Sequence, residues 1–308
     1  MAERVDPSDV RVPRNGLLLV AVAATLWGTS GLTATLTYRR GLDPLVVSFY
    51  RVAIGAALLF SLRRRSVSLT LIATADRARL LLIAAGLAIY QAGYFVAVQR
   101  AGVSIATLVT LGLAPVLVTS VARLRSRQPA PWSTVAGIGL AIVGLLALVG
   151  LPAERGAEVL VGAGFAALLA TGYALMTLGG GALGIRIGAE RLTALSFASA
   201  ALVLAPPAMY AGLWPVEWSP SLIIALLYLG IVPTAIAYRA FFSGLQDLPA
   251  PVAAVVALLE PLVATGLAIP LLGERLSPAG WLGAVALLAA VALVSEAHRS
   301  SAAETGRA

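Results

Sequence analysis

The feature that most constrains this chain is a succession of apolar runs, each long enough to cross a bilayer and separated by very little. Ten such runs follow one another: Gly16–Tyr38, Pro44–Leu62, Arg79–Val98, Val103–Ala122, Trp132–Gly150, Ala157–Leu178, Arg191–Gly212, Ser219–Phe242, Ala250–Leu272 and Ala279–Ser295. A spanning helix needs about 20 mainly apolar residues. Hydrocarbon offers the backbone no hydrogen-bond partner, so spanning segments must be helices or strands of a closed barrel. These runs are continuous rather than alternating, which excludes the barrel. Composition agrees: 59% of residues are apolar and only 12% charged, where a soluble domain carries about 25% charged residues. Such a chain is neither an ordinary soluble domain nor disordered. The expected fold is an all-α polytopic membrane protein with ten transmembrane helices.

The connections leave no room for a soluble domain. Arg39–Asp43, Gln99–Gly102, Ser243–Pro249 and Gly273–Pro278 are little more than turns, and only Arg63–Ala78 and Gly179–Glu190 are longer. The first run is too long and too uncharged for a cleaved signal peptide, and no small-residue cleavage site ends it. Residues 1–14 and 298–308 read as polar, disordered tails. All 22 basic residues are arginine. With the N-terminus inside, 15 arginines fall in inward segments and 5 in outward ones, with Arg51 and Arg239 left within helices. The positive-inside rule then places both termini in the cytoplasm of a cell (inner) membrane protein. The expected partner of the arginines is the anionic cytoplasmic leaflet of the lipid bilayer, not nucleic acid.

Several chemistries are excluded outright. The chain has no Cys and one His, His298, so disulfides, Cys-based zinc sites, Fe–S clusters and two-His metal centres are out of reach. Without Lys there is no Walker loop, and ATP-driven transport by this chain alone is excluded. Gly162-Ala163-Gly164-Phe165-Ala166-Ala167 matches a loose dinucleotide fingerprint but lies in an apolar helix without the strand–turn–helix that gives it meaning. Gly28-Thr29-Ser30-Gly31 is one spacer short of a nucleophile elbow, and no His lies at membrane depth to serve Ser30. No catalytic residue, metal or cofactor is expected.

The two halves of the chain match at a nearly constant shift. Leu113-Ala114-Pro115-Val116-Leu117 answers Leu259-Glu260-Pro261-Leu262-Val263 at a shift of 146, and Gly137 falls on Gly283. At 147, Leu45 falls on Leu192 and Gln99 on Gln246. A five-helix unit repeated once is inverted in the membrane because five is odd, and inverted repeats around a midplane site are the plan of many secondary transporters. The units expected are 15–150 and 157–297.

Polar residues are spread unevenly. Runs five and ten are nearly blank, with Ser133, Thr134 and Ser295 at their ends. Run one carries Thr25, Thr29, Thr33 and Thr37 on one face, a spacing of four. Runs three, four, six and eight carry Tyr90, Gln91 and Tyr94; Ser104, Thr107 and Thr110; Thr171, Tyr173 and Thr177; and Tyr228, Thr234 and Tyr238. Blank helices suit lipid and striped ones a pathway, although Thr and Ser also commonly bond their own helix backbone. Of 14 acids, Glu260 alone sits mid-helix. A charge there costs at least about 2.5–3.5 kcal/mol and needs a partner, water or a proton. Pro261 follows it and permits a kink. Arg51 lies about two turns into run two and suits an anion or Glu260. Arg239, near the end of run eight, can snorkel.

Taken together, Leu26-Trp27-Gly28-Thr29, Phe49-Tyr50-Arg51, Ala114-Pro115, Leu259-Glu260-Pro261 and Leu272-Gly273-Glu274-Arg275-Leu276-Ser277 resemble the drug/metabolite transporter superfamily, specifically its ten-helix exporters with two EamA-type repeats. The resemblance covers about 15–297. It implies two inverted five-helix repeats, a central cavity, and export of a small metabolite, amino acid or drug-like compound by alternating access. Arg125-Ser126-Arg127-Gln128 replaces the Gly-Glu-Arg-like turn common in the family, and Gly172 stands near where a Trp is frequent. The pathway expected is Trp27, Thr29, Thr33, Arg51, Tyr90, Gln91, Tyr94, Thr107, Tyr173, Tyr238 and Glu260, with Pro115 and Pro261 as hinges. A small-molecule substrate is the expected partner, with a proton as the candidate coupling ion. Rival readings are a polytopic membrane enzyme, which would want paired acids or a His beside a nucleophile at depth, and a non-transporting sensor or scaffold, which the sequence leaves open.

Overall fold

A computed structural model describes residues 16–62, 74–150, 156–214, 217–273 and 275–305. Those residues form helices and short connections. Nine helical stretches among them are long and apolar enough to span a membrane: α1 (Gly16–Tyr38), α2 (Pro44–Leu62), α4 (Ile105–Ser126), α5 (Trp132–Val149), α6 (Ala157–Ile187), α7 (Ala189–Ala211), α8 (Pro220–Gly244), α9 (Ala250–Leu271) and the body of α10 (Pro278–Thr305). The tenth, α3 (74–101), is the first arm of a run that is helical from Thr74 to Ser126.

That 53-residue run is not one rod. A straight helix would separate Gly86 from Thr110 by about 36 Å, at about 1.5 Å per residue. Yet Gly86 meets Gly172 of α6, Gly93 meets Leu169, and Ala101 meets Gly162. Thr110 then donates to the carbonyl of Ala166, back toward Gly172. Going up the chain, the partners on α6 fall from Gly172 to Gly162 and then rise again, so the path reverses soon after Ala101. The turn expected at Gln99–Gly102 is therefore present in the path, although the local backbone stays helical.

The inverted repeat is visible in paired contacts. Gly137 packs on Ala290, and Gly283 packs on Gly144; adding 146 to the first-half member of each pair exchanges one contact for the other. Likewise a Cβ on Gly16 would touch Leu248, and one on Gly162 would touch Ala101. Two inverted five-helix repeats thus pack about a pseudo-twofold axis, with α5 against α10 and α2 against α7. At the α5–α10 seam a Cβ on Gly144 would lie 2.9 Å from the Gly283 carbonyl oxygen, so only glycine permits that approach. The outer faces of this pair carry exposed Trp132, Val143, Trp281, Leu282 and Val285, as suits a lipid-facing edge.

Four expectations are corrected. Run six does not stop at Leu178: α6 continues to Ile187. Gly179-Gly180-Gly181 reads as a loop, but it admits a neighbour, since a Cβ on Gly181 would lie 2.5 Å from the Leu245 carbonyl oxygen. α3 begins at Thr74, within the expected loop Arg63–Ala78, and takes in Asp76. Asp76 is buried and pairs with Arg186 at 3.1 Å and Arg79 at 3.4 Å. The last helix runs to Thr305, so 298–305 is not a disordered tail. Run one is not a single helix: it breaks at Thr29, between Gly28 and Ser30. The expected tail 1–14 lies outside the described residues.

Candidate functional site

Four irregularities shape the interior. α1 breaks at Thr29, beside Gly28, which meets α9 so closely that a Cβ there would lie 2.7 Å from the Glu260 carbonyl oxygen. α9 breaks at Ala257–Leu258, and the Glu260 N–H reaches only to the Ala257 carbonyl. Pro261 lacks the N–H that would otherwise take that carbonyl. In α8, Pro233 likewise leaves the Leu229 carbonyl without its usual donor, and the segment Ile231–Ile236 widens into a π-helix. The Thr234 hydroxyl donates to that carbonyl at 2.6 Å. Its oxygen is thereby turned to accept from Arg51 Nε at 3.3 Å. A proline on α8 thus positions a cation on α2. The fourth is the reversal between α3 and α4.

These elements enclose a cavity of about 1010 Å³. Its floor is aromatic: Trp27 packs on Tyr238 and Phe241 at centroid distances of 4.9 and 5.0 Å, and Tyr173 lies 5.9 Å from Tyr90. Below the floor, α1 is pressed onto α8 where Gly244 meets Gly16 and Val20, which closes that end. The walls rise along Ser30–Tyr38 of α1, Ala264–Ala268 of α9 and the last residues of α5, up to Gly150, Arg275 and Ser277. Among the described residues the cavity therefore opens toward the end that carries the α1–α2, α5–α6 and α9–α10 connections.

Arg51 and Glu260 both line this space, and both are partly buried. The two are not within ion-pair distance, and the Glu260 carboxylate makes no hydrogen bond among the described residues. Three further lining groups are buried with polar atoms unsatisfied: Trp27 Nε1, Gln91 Nε2 and the Tyr173 hydroxyl. A buried donor without a partner costs about 1–3 kcal/mol.

Of the residues expected from sequence, the structure brings Trp27, Arg51, Tyr90, Gln91, Thr107, Tyr173, Tyr238, Glu260 and Pro261 to this cavity. The side chain of Tyr94 lies outside the described residues. Thr29 and Thr33 do not line it. Thr33 donates to the Thr29 carbonyl at 3.3 Å, and Thr29 donates to Leu26 and accepts from Tyr228 at 2.8 Å. The threonine stripe mostly bonds its own helix: Thr25 and Thr37 bond the carbonyls of Ala21 and Ala34. Pro115 lies in an unbroken helix. Sequence reasoning missed Ser48 as a lining residue; Thr110, on the polar stripe of run four, lines the cavity as well, and α5, expected to be peripheral, reaches the mouth with Ala147–Gly150. The signal for Ser48 was its place one turn before Arg51.

Inverted five-helix repeats around a largely apolar cavity, into which each repeat brings one charged side chain, Arg51 and Glu260, define a polytopic membrane transporter. The model of the EamA-like transporter family matches residues 14–150 and 160–296, once per repeat. The chain belongs to the EamA-like transporter family. It is 30% identical to the uncharacterized transporter YwfM of Bacillus subtilis (strain 168), covering 92% of this chain and 94% of that one. It is 25% identical to the uncharacterized inner membrane transporter YicL of Salmonella typhimurium (strain LT2), with 92% and 95% covered. A solved crystal structure superposes with a TM-score of 0.79 at 22% identity, covering 92% of this chain and 98% of its own, and shows the fold alone.

Proposed function

We propose that this protein is a secondary transporter that exports a small metabolite, amino acid or drug-like compound across the cell (inner) membrane by alternating access. The observation that carries this is the one-ended cavity, about 1010 Å³, with Arg51 and Glu260 on opposite repeats. Both termini are cytoplasmic on the arginine bias, so the cavity opens outward and the Trp27–Tyr238–Phe241 floor is the closed inner gate. Substrate contacts are made by Trp27, Arg51, Tyr90, Gln91, Thr107, Tyr173, Tyr238 and Glu260. Glu260, with no fixed partner and a space that admits water, is the group placed to take up and release a coupling proton. Pro261 is the hinge beside it.

The test is a metabolite-tolerance screen of overexpressing cells, followed by flux of the protected compound in proteoliposomes. Saturable flux driven by an imposed proton gradient is expected. Absence of flux for every protected compound would point to a sensor or scaffold instead. Reporter fusions at Ala153 are expected to read periplasmic, and those at Ser126 and the C-terminus cytoplasmic. A periplasmic C-terminus would reverse the direction assigned to the cavity.

A further inference from the structure

A second concavity lies on the flank of the bundle at its closed end, separate from the central cavity. It measures about 320 Å³ and is walled by Leu19 of α1, Leu58, Leu59 and Leu62 of α2, and Ala235, Ile236 and Ala240 of α8. One cation stands in it, Arg239, which is exposed and makes no hydrogen bond or ion pair among the described residues. None of the three walls could supply a counter-ion, because α1, α2 and α8 contain no Asp or Glu. Leu19 is in the first turn of α1 and Leu62 is the last residue of α2, so the groove sits at headgroup level.

We propose that this groove seats one anionic phospholipid, its phosphate on Arg239 and its upper acyl chain on the leucines. A guanidinium fits a phosphate diester bidentately and is weakly hydrated, so it gives up water readily at an interface. An apolar wall beside it is of no use to a free ion and matches an acyl chain. The site rests on the orientation proposed above, in which this end faces the anionic cytoplasmic leaflet. It also bridges repeats, with α1 and α2 from the first and α8 from the second. The lipid thus lies across the α1–α8 seam that holds the inner end shut.

The test is native mass spectrometry of the full-length protein released from neutral detergent, with phosphatidylglycerol or phosphatidylcholine of identical chains. Wild type is expected to retain one phosphatidylglycerol about fivefold better than phosphatidylcholine, the scale of one surface arginine. Arg239→Gln loses that preference, Arg239→Lys keeps part of it, and Arg127→Gln, in the exposed α4–α5 turn, keeps all of it. Equal retention of both lipids by wild type, or an unchanged preference in Arg239→Gln, would overturn the site. So would displacement of the lipid by millimolar inorganic phosphate, which would leave the groove no part in binding. Should Arg239→Gln not fold, Ile236→Ser spoils the wall and keeps the cation, and the same loss is expected. Because binding is read without transport, its failure and that of the exporter proposal are distinguishable.

Discussion

In α4 the backbone runs through Pro115 unbroken, whereas in α9, at the matching place in the second repeat, it breaks at Ala257–Leu258 just before Pro261. The partners of these helices differ in the same way. α1, packed on α9, breaks at Thr29, while α6, packed on α4, is continuous from Ala157 to Ile187. A proline alone therefore does not break a helix here. The break in α9 appears where Gly28 brings α1 onto the Glu260 carbonyl, so the two irregular segments lie against each other. Their outer halves, Ser30–Tyr38 and Leu259–Leu272, supply much of the wall of the open cavity. The same repeat thus takes a broken form on one side and an unbroken form on the other, and the broken side is where the cavity opens.

That contrast can be broken at several strengths. The largest effect is expected from Glu260→Gln, which removes a charge from the broken side while keeping its shape. Proton-driven flux in proteoliposomes should fall to background, with insertion unchanged. Retained substrate exchange would assign Glu260 to coupling, loss of substrate binding would assign it to the substrate, and wild-type flux and pH dependence would make it structural. The counterpart Ala114→Gln should leave proton dependence intact.

Next in size is the proline pair. Pro261→Ala restores a backbone donor near the break and is expected to lower flux about tenfold, as hinge changes alter turnover and affinity together. Pro115→Ala, in a helix already continuous, should change it less than about twofold. Equal effects would mean that the two repeats use their prolines alike and that the asymmetry is incidental.

A smaller effect, on stability, separates two glycines of α1. Gly28→Val forces atoms onto the Glu260 carbonyl and Val263, and overpacking of this kind costs about 1–3 kcal/mol. Gly31→Ala meets open space and should stay within about 0.5 kcal/mol. Thermal unfolding of both variants in the same detergent decides it, and similar melting points would remove the claim that Gly28 packs closely on α9.

The smallest effect is expected at Thr33, whose hydroxyl bonds its own helix. Thr33→Val should alter flux little and stability by no more than about 0.5 kcal/mol. A large loss of flux would mean that Thr33 serves the pathway in spite of that bond.

Much of this molecule was legible in one dimension. Hydrocarbon requires backbone groups to be paired within the protein, so ten continuous apolar runs dictated ten helical spans, and an odd five-helix repeat dictated inversion. Membrane depth made Arg51 and Glu260 conspicuous as well, because charge is costly there. What a one-dimensional pattern cannot carry is which face of a helix meets which neighbour. The threonine stripe of α1 pointed to a pathway, yet those hydroxyls found nearer acceptors in their own backbone. The Gly179-Gly180-Gly181 run resembled a loop until α8 was found packed against it. Pro115 and Pro261 were equivalent as letters, and only the tertiary structure shows that one helix stays continuous and the other breaks. Burial, hydrogen-bond competition and close approach are properties of neighbours distant in sequence. Tertiary structure alone settled the cavity's open end, its unsatisfied donors and the link from Pro233 through Thr234 to Arg51.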